Sequence, residues 1–207
     1  MKNKSDVNVI LKEAGILFAI TLIAGLVLGF VYELTKEPIR LQEQKAIQEA
    51  CAAVFADAQE FVPMDYTAND KLRLELGETG VKVGDVYEAH GRGDELLGYV
   101  IQMISTEGYG GNIVLYVGVT MERTLNDVSI LEISETPGLG MRAEEVLLPQ
   151  FHDKSVAAFR YTKNGSASDS EIDAISGATI TTKAVTNAVN GGLAVWDELT
   201  QGGDRNE

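Results

Sequence analysis

The order of apolar patterns along the chain predicts an α+β fold, with helix first, a run of short extended segments next, and a second helix last. Three observations carry that expectation. An uncharged run fills residues 14–32. Four β-rich segments then come at intervals too short for crossover helices, which makes neighbouring strands antiparallel. A segment of helical period closes the chain.

The first run reads AGILFAITLIAGLVLGFVY, from Ala14 to Tyr32, bracketed by Glu13 and Glu33. As a helix it would extend roughly 28 Å, close to the thickness of a bilayer's hydrocarbon. A soluble helix of that length normally keeps a polar face, and this one has none. A cleaved signal peptide would have a shorter apolar stretch and an A-x-A-like site after it. The residues after Tyr32 read ELTKEPIRLQEQK and contain no such site. Cys51, preceded by Gln48, Glu49 and Ala50, lies too far away for a lipoprotein site. The expectation is therefore a retained anchor over residues 1–33 that contacts lipid through residues 14–32, and a separate domain over residues 34–207. Lys2, Lys4 and Lys12 before the span nearly balance Lys36, Arg40 and Lys45 after it. The α-amino group tips the count toward a cytoplasmic N-terminus.

Pro38 stands where a helix can begin, and Ile39, Ile47, Ala50, Val54 and Ala58 recur at roughly helical spacing. An amphipathic helix is expected from Glu37 to Gln59, with Cys51 as a small core residue. Strands are expected at Val81–Ala89, Leu96–Ser105, Ile113–Thr120 and Val128–Glu135, separated by Gly, Asn and Asp. Ile113, Leu115, Val117 and Val119 share one face by period two. A short helix at Arg142–Pro149, a strand near Val156–Thr162 and a polar loop at Asn164–Ser170 lead to a final helix over Thr182–Thr200. Val185, Val189, Gly192, Trp196 and Leu199 line one face of that helix.

Composition narrows the chemistry. Seventeen basic against 31 acidic residues give a net charge of −14, which argues against nucleic-acid binding. One Cys precludes an internal disulfide or an all-cysteine metal site, and His90 and His152 show no ligand spacing. Walker-type, G-x-G-x-x-G and G-x-S-x-G patterns are absent. No catalytic constellation and no metal site are expected.

Three glycine-bearing segments remain: Glu107–Asn112 (EGYGGN), Glu135–Gly140 (ETPGLG) and Asp173–Thr179 (DAISGAT). Each has a purely structural reading: a hairpin loop, a Pro-Gly turn, a strand-to-helix junction. Each also has a functional one. A helix N-terminus presents unpaired N–H groups and the positive end of a dipole, and so favours phosphate. Gly177 admits a ligand close to the backbone. Ser176, Thr179, Thr181 and Thr182 gather hydroxyls at that point, and the two other loops can close around a flat ring.

Asp173-x-x-Ser176-Gly177-Ala178-Thr179 resembles the signature recognised by bacterial flavin transferases, and ETPGLGMR and GYGGNIVLYVGV resemble the flavin-facing loops of the same family. All three occur in family order behind one N-terminal span. The resemblance is to the G subunit of Rnf ion-translocating electron-transport complexes. It implies an extracytoplasmic FMN-binding domain with an antiparallel sheet and flanking helices. FMN would be esterified through its phosphate to Thr179, with Asp173 as the determinant read by the transferase. Ser176, Gly177, Ala178, Glu135, Thr136, Gly138, Leu139, Gly140, Tyr109 and Gly110 are the implied cofactor contacts. Such a subunit relays single electrons inside a complex that couples ferredoxin:NAD electron transfer to sodium or proton movement, with other membrane and peripheral subunits as partners. Two alternatives stay open on the sequence: the C subunit of the sodium-translocating NADH:quinone oxidoreductase, which shares the signature, and an assembly module without redox function.

Overall fold

A computed structural model describes residues 4–202 of the chain, and the side chains of residues 8–200. Two compact units are present, residues 1–45 and residues 46–207.

The first unit is helical. One continuous helix, α1 (Lys4–Val54), contains both the apolar run and most of the segment expected as a separate helix from Glu37 to Gln59, whose last five residues, 55–59, turn toward the first strand instead. Pro38 therefore lies inside a helix and does not begin one. It withholds an N–H from the Leu34 carbonyl, a defect that costs about 3 kcal/mol in a soluble helix. Good helix formers on both sides, including Leu34, Lys36, Glu37, Arg40 and Leu41, carry the helix across it. The helix is long and apolar enough to cross a membrane, and its most apolar stretch is wholly unburied.

The second unit is built on a five-stranded antiparallel meander. Its strands are β1 (Glu60–Met64), β2 (Val81–His90), β3 (Leu96–Ser105), β4 (Ile113–Thr120) and β5 (Leu125–Glu132). Both faces are covered, which is why the interior strand β4 is buried from Ile113 to Val119. Ile113, Leu115, Val117 and Val119 point to one core, as their period-two spacing predicts. That core is closed by the C-terminal helix (Thr179–Gly202) through Val185, Val189 and Trp196, and by Leu147 and Phe151 of the 143–151 segment. On the other face Val100 and Tyr116 meet Ala50, Cys51, Val54 and Phe55 at the end of α1.

Cys51, outside the apolar run, is almost completely buried there, and burial pushes its thiol pKa up. The thiolate is the reactive species, so alkylating reagents at pH 8 should leave Cys51 unmodified in the folded chain. Denaturant should expose it. Mass spectrometry before and after unfolding checks this.

A second helix, α2 (Asp70–Glu78), precedes β2. Sequence periodicity does not reveal it or β1, because α2 buries only Leu72 and Leu76 and β1 contains Pro63 on an edge strand. Asn69 caps α2, its side chain accepting from the Leu72 N–H at 2.9 Å. Asn69→Ala should lower stability by about 1 kcal/mol, readable as a small drop in the thermal midpoint of the detergent-solubilised chain.

Strand β5 begins three residues earlier than expected. Arg123 adopts φ +65°, which tightens the β4–β5 turn and brings Leu125 opposite Val119. Its guanidinium then reaches Asp197 of the last helix at 2.6 and 2.7 Å. Beyond β5 come two single-turn helices, α3 (Ala143–Val146) and α4 (Leu148–Phe151), preceded by a short 3-10 turn. A parallel pair comes next, β6 (Arg160–Thr162) and β7 (Glu171–Asp173), and then α5 (Thr179–Gly202). Because α5 starts at Thr179 and not at Thr182, Thr179 belongs to the helix's first turn.

Candidate functional site

The three glycine-bearing segments converge at the N-terminus of α5. The turn before the helix is closed by Ala178 N–H donating to Ile175 O at 3.0 Å. Gly177 sits third in that turn at φ +79°, the left-handed geometry that a type II turn asks of this position. The ETPGLG segment makes the same turn. Leu139 N–H donates to Thr136 O at 3.1 Å, and Gly138, after Pro137, has φ +76°. The structural reading of this segment as a Pro-Gly turn is thus correct, and the turn also walls the site.

Between these turns lies a cleft of about 540 Å³ lined by Tyr109, Glu135, Thr136, Leu139, Gly140, Gly177, Ala178, Thr179, Ile180 and Thr181. Eight of the residues named from sequence are in that set. Gly110 and Gly138, exposed in the two loops, do not line it, and Ser176 is exposed outside it. Ile180 and Thr181 were not among the residues singled out as cofactor contacts. The early start of α5 is what brings them to the wall.

The structure sorts the hydroxyls gathered here. Thr182 Oγ1 donates to Ala178 O at 2.9 Å and accepts from Ile175 N–H at 3.1 Å, which locks the junction. Thr181 Oγ1 is buried and donates to Glu135 Oε2 at 3.0 Å. Thr179 is half-buried on the cleft wall, and its hydroxyl has no hydrogen-bond partner among the described residues. Ala178 O accepts the first helical bond, from Thr182 N–H. The N–H groups of Thr179, Ile180 and Thr181 therefore have no acceptor one turn earlier, the usual state of a helix start.

The mouth of the cleft is apolar. Tyr109, Ile180 and Leu139 are 72%, 52% and 40% exposed. Such side chains offer a hydrophobic surface to a ring, next to a polar end suited to an anion. At one edge Lys183 Nζ pairs with Glu107 at 2.9 Å, tying α5 to the β3–β4 loop.

Asp173, six residues before Thr179, does not line the cleft. Its backbone is held from both sides by one amide: its N–H donates to Gln150 Oε1 at 2.7 Å, and its carbonyl accepts from Gln150 Nε2 at 3.2 Å. Its side chain accepts from Ser166 Oγ at 3.4 Å. No spacing in the sequence points to Gln150, since the pairing depends on α4 packing beside β7.

Residues 108–194 match the model of an FMN-binding domain, and residues 1–54 match that of an RnfG N-terminal region. The G subunit of the Na⁺-translocating ferredoxin:NAD⁺ oxidoreductase complex of Acetobacterium woodii is 32% identical over 206 residues, 97% of this chain and 98% of that protein. The G subunit of the proton-translocating ferredoxin:NAD⁺ oxidoreductase complex of Clostridium ljungdahlii is 35% identical over 187 residues, 86% of this chain and 90% of that protein. Among solved structures, Shewanella oneidensis NqrC aligns with 56% of this chain and 61% of its own length, at 22% identity and a TM-score of 0.46.

Proposed function

The chain belongs to the G-subunit family of ion-translocating oxidoreductase complexes, and from that premise we propose that it carries FMN esterified to Thr179 and relays single electrons within an Rnf-type complex. The observation that carries this reading is the state of one hydroxyl. Of the three threonines in the first turn of α5, Thr181 and Thr182 are committed to internal hydrogen bonds, and Thr179 alone is uncommitted and open to the cleft.

The residues present fit the group. The N–H groups of Thr179, Ile180 and Thr181 suit phosphate oxygens. Gly177 keeps a side chain out of the approach to Thr179. Tyr109, Leu139 and Ile180 would cover the faces of the isoalloxazine and exclude water from it. Bound there, FMN supplies one-electron chemistry; the protein supplies its position and surroundings.

Attachment calls for a separate enzyme. A hydroxyl is a weak nucleophile without a base, and no side chain among the described residues hydrogen-bonds Thr179 Oγ1. A flavin transferase would move the FMN phosphoryl group from FAD to Thr179 Oγ, releasing AMP and the hydroxyl proton. Asp173, displayed on β7 by Gln150, is the side chain such an enzyme would read. The span at residues 14–32 would anchor the protein in the cell membrane, with the N-terminus cytoplasmic and the flavin domain outside. The complex would couple ferredoxin:NAD electron transfer to movement of sodium or protons.

The test is an intact mass of the purified chain after co-expression with a flavin transferase. The expected result is a gain equal to FMN less one water, mapped to the peptide containing Thr179. An unmodified chain from cells in which a control flavoprotein is modified would overturn the proposal.

A further inference from the structure

Glu135 is 7% exposed, although it lies directly beside an exposed loop. Both of its oxygens are committed. Oε1 accepts from the N–H groups of Tyr109 and Gly110 at 2.7 and 3.3 Å. Oε2 accepts from Thr181 Oγ1 at 3.0 Å. One carboxylate thus joins the β3–β4 loop, the 135–140 turn and the first turn of α5.

Of the glycines around it, Gly140 and Gly108 leave room for that carboxylate and Gly110 for the Ser134 carbonyl next to it. A Cβ at Gly140 would stand 2.7 Å from Glu135 Oε2 and 2.6 Å from Thr181 Oγ1. A Cβ at Gly108 would stand 2.9 Å from Glu135 Oε1, and one at Gly110 would stand 1.9 Å from Ser134 O. Side chains at these positions would block the three loops from closing on Glu135. Gly108 and Gly140 thus make room for the group that assembles the wall, and Gly110 for the backbone next to it.

Electrostatics argue the same way. An acid beside a helix N-terminus that receives phosphate opposes the incoming anion. Its presence there is accounted for if it organises the backbone rather than the ligand.

We infer that Glu135 is a positioning residue for modification of Thr179, a role resting on the reading that Thr179 carries the flavin phosphate. By holding Thr181, Glu135 fixes the rotational phase of the first turn of α5, and with it the direction of the Thr179 hydroxyl. By holding Tyr109 and Gly110 it sets the opposite wall.

The test measures the rate of covalent flavinylation by a flavin transferase and FAD in detergent, on the full chain, normalised to the folded fraction. Glu135→Ala should slow labelling by about tenfold or more, in line with what a misplaced reacting group costs. Glu135→Gln should recover the rate to within about threefold of wild type, because its amide oxygen still accepts from both N–H groups and its NH₂ can donate to Thr181 Oγ1. Amide exchange at Tyr109 and Gly110 in the unlabelled chain should quicken in Glu135→Ala and return toward wild type in Glu135→Gln. If Glu135→Ala does not fold, Thr181→Val breaks only the link to α5 and should itself slow labelling severalfold with the fold intact. Labelling of folded Glu135→Ala or Thr181→Val at the wild-type rate overturns the inference and leaves Thr179 as the acceptor. Failure of the wild type to label overturns the underlying reading instead.

Discussion

Thr179→Val, co-expressed with a flavin transferase, should yield a folded chain with no covalent flavin: no gain in intact mass, and no fluorescence in a denaturing gel where the wild type is fluorescent. Valine keeps the shape and removes the oxygen. The stability cost should be small, about 0.5 kcal/mol or less, because the hydroxyl is bonded to nothing among the described residues and the cap is made by Ala178 O and Thr182. Thr182→Val makes the opposite prediction. It deletes the bonds to Ala178 O and Ile175 N–H, so it should lower stability by about 1–2 kcal/mol while the chain stays labelled. The pair therefore separates chemistry from architecture at two hydroxyls three residues apart. A Thr179→Val chain that still gains the mass of the flavin would place the bond elsewhere, and Ser176 is the next hydroxyl to examine, being exposed just outside the cleft.

How much of the fold is legible in the sequence depends on how many residues each element buries. Strands β2, β3 and β4 lie inside the meander and are rich in β-branched and aromatic residues, and their expected bounds match within a residue. Helix α2 holds on to the core with two leucines and a cap, too few for a periodic signal. The phase of β5 hinges on Arg123, a residue that rarely takes a positive φ and whose guanidinium is held by Asp197, 74 positions later. Long-range contacts of that kind leave no local trace. Pro38 fails as a boundary marker for a related reason: a proline marks a helix start only on average, and strong formers on both sides outweigh it.

The candidate site is legible as three glycine-bearing segments and one threonine, because chemistry that needs tight turns and a helix start selects those residue types. What the sequence hides is the division of labour. Gly138 and Gly177 take the positive φ their turns require. Gly108 and Gly140 instead vacate space beside a carboxylate that also falls within the motif, and Gly110 vacates space for the Ser134 carbonyl. Nothing in a one-letter string separates a glycine needed for its φ from one needed for its missing Cβ.

That distinction gives the second large prediction. Gly110→Ala should destabilise the flavin domain by about 3 kcal/mol and impair flavinylation at the same time. Its Cβ would lie 1.9 Å from Ser134 O and 2.9 Å from Ser134 C, backbone atoms that cannot rotate away. Relief requires the β3–β4 loop to lift, and lifting pulls the Tyr109 and Gly110 N–H groups off Glu135 Oε1. Overpacking alone costs about 1–3 kcal/mol. A buried carboxylate stripped of two donors adds about 1–3 kcal/mol more. For a domain of this size the combined loss corresponds to a fall of about 6–12 °C in the thermal midpoint. Gly77→Ala is the matched control. No atom lies within 4 Å of its Cβ position, and it sits in the helix α2, where alanine is favoured by up to about 1 kcal/mol. It should therefore be neutral to stabilising and label like the wild type. Thermal melts of the detergent-solubilised chains, run beside the flavinylation assay, read both effects. If Gly110→Ala melts with the wild type and labels at the same rate, the loop does not close on Ser134 and Glu135. Loss of stability with normal labelling of the folded fraction would mean instead that the wall opposite Thr179 is needed for the fold but not for placing the hydroxyl.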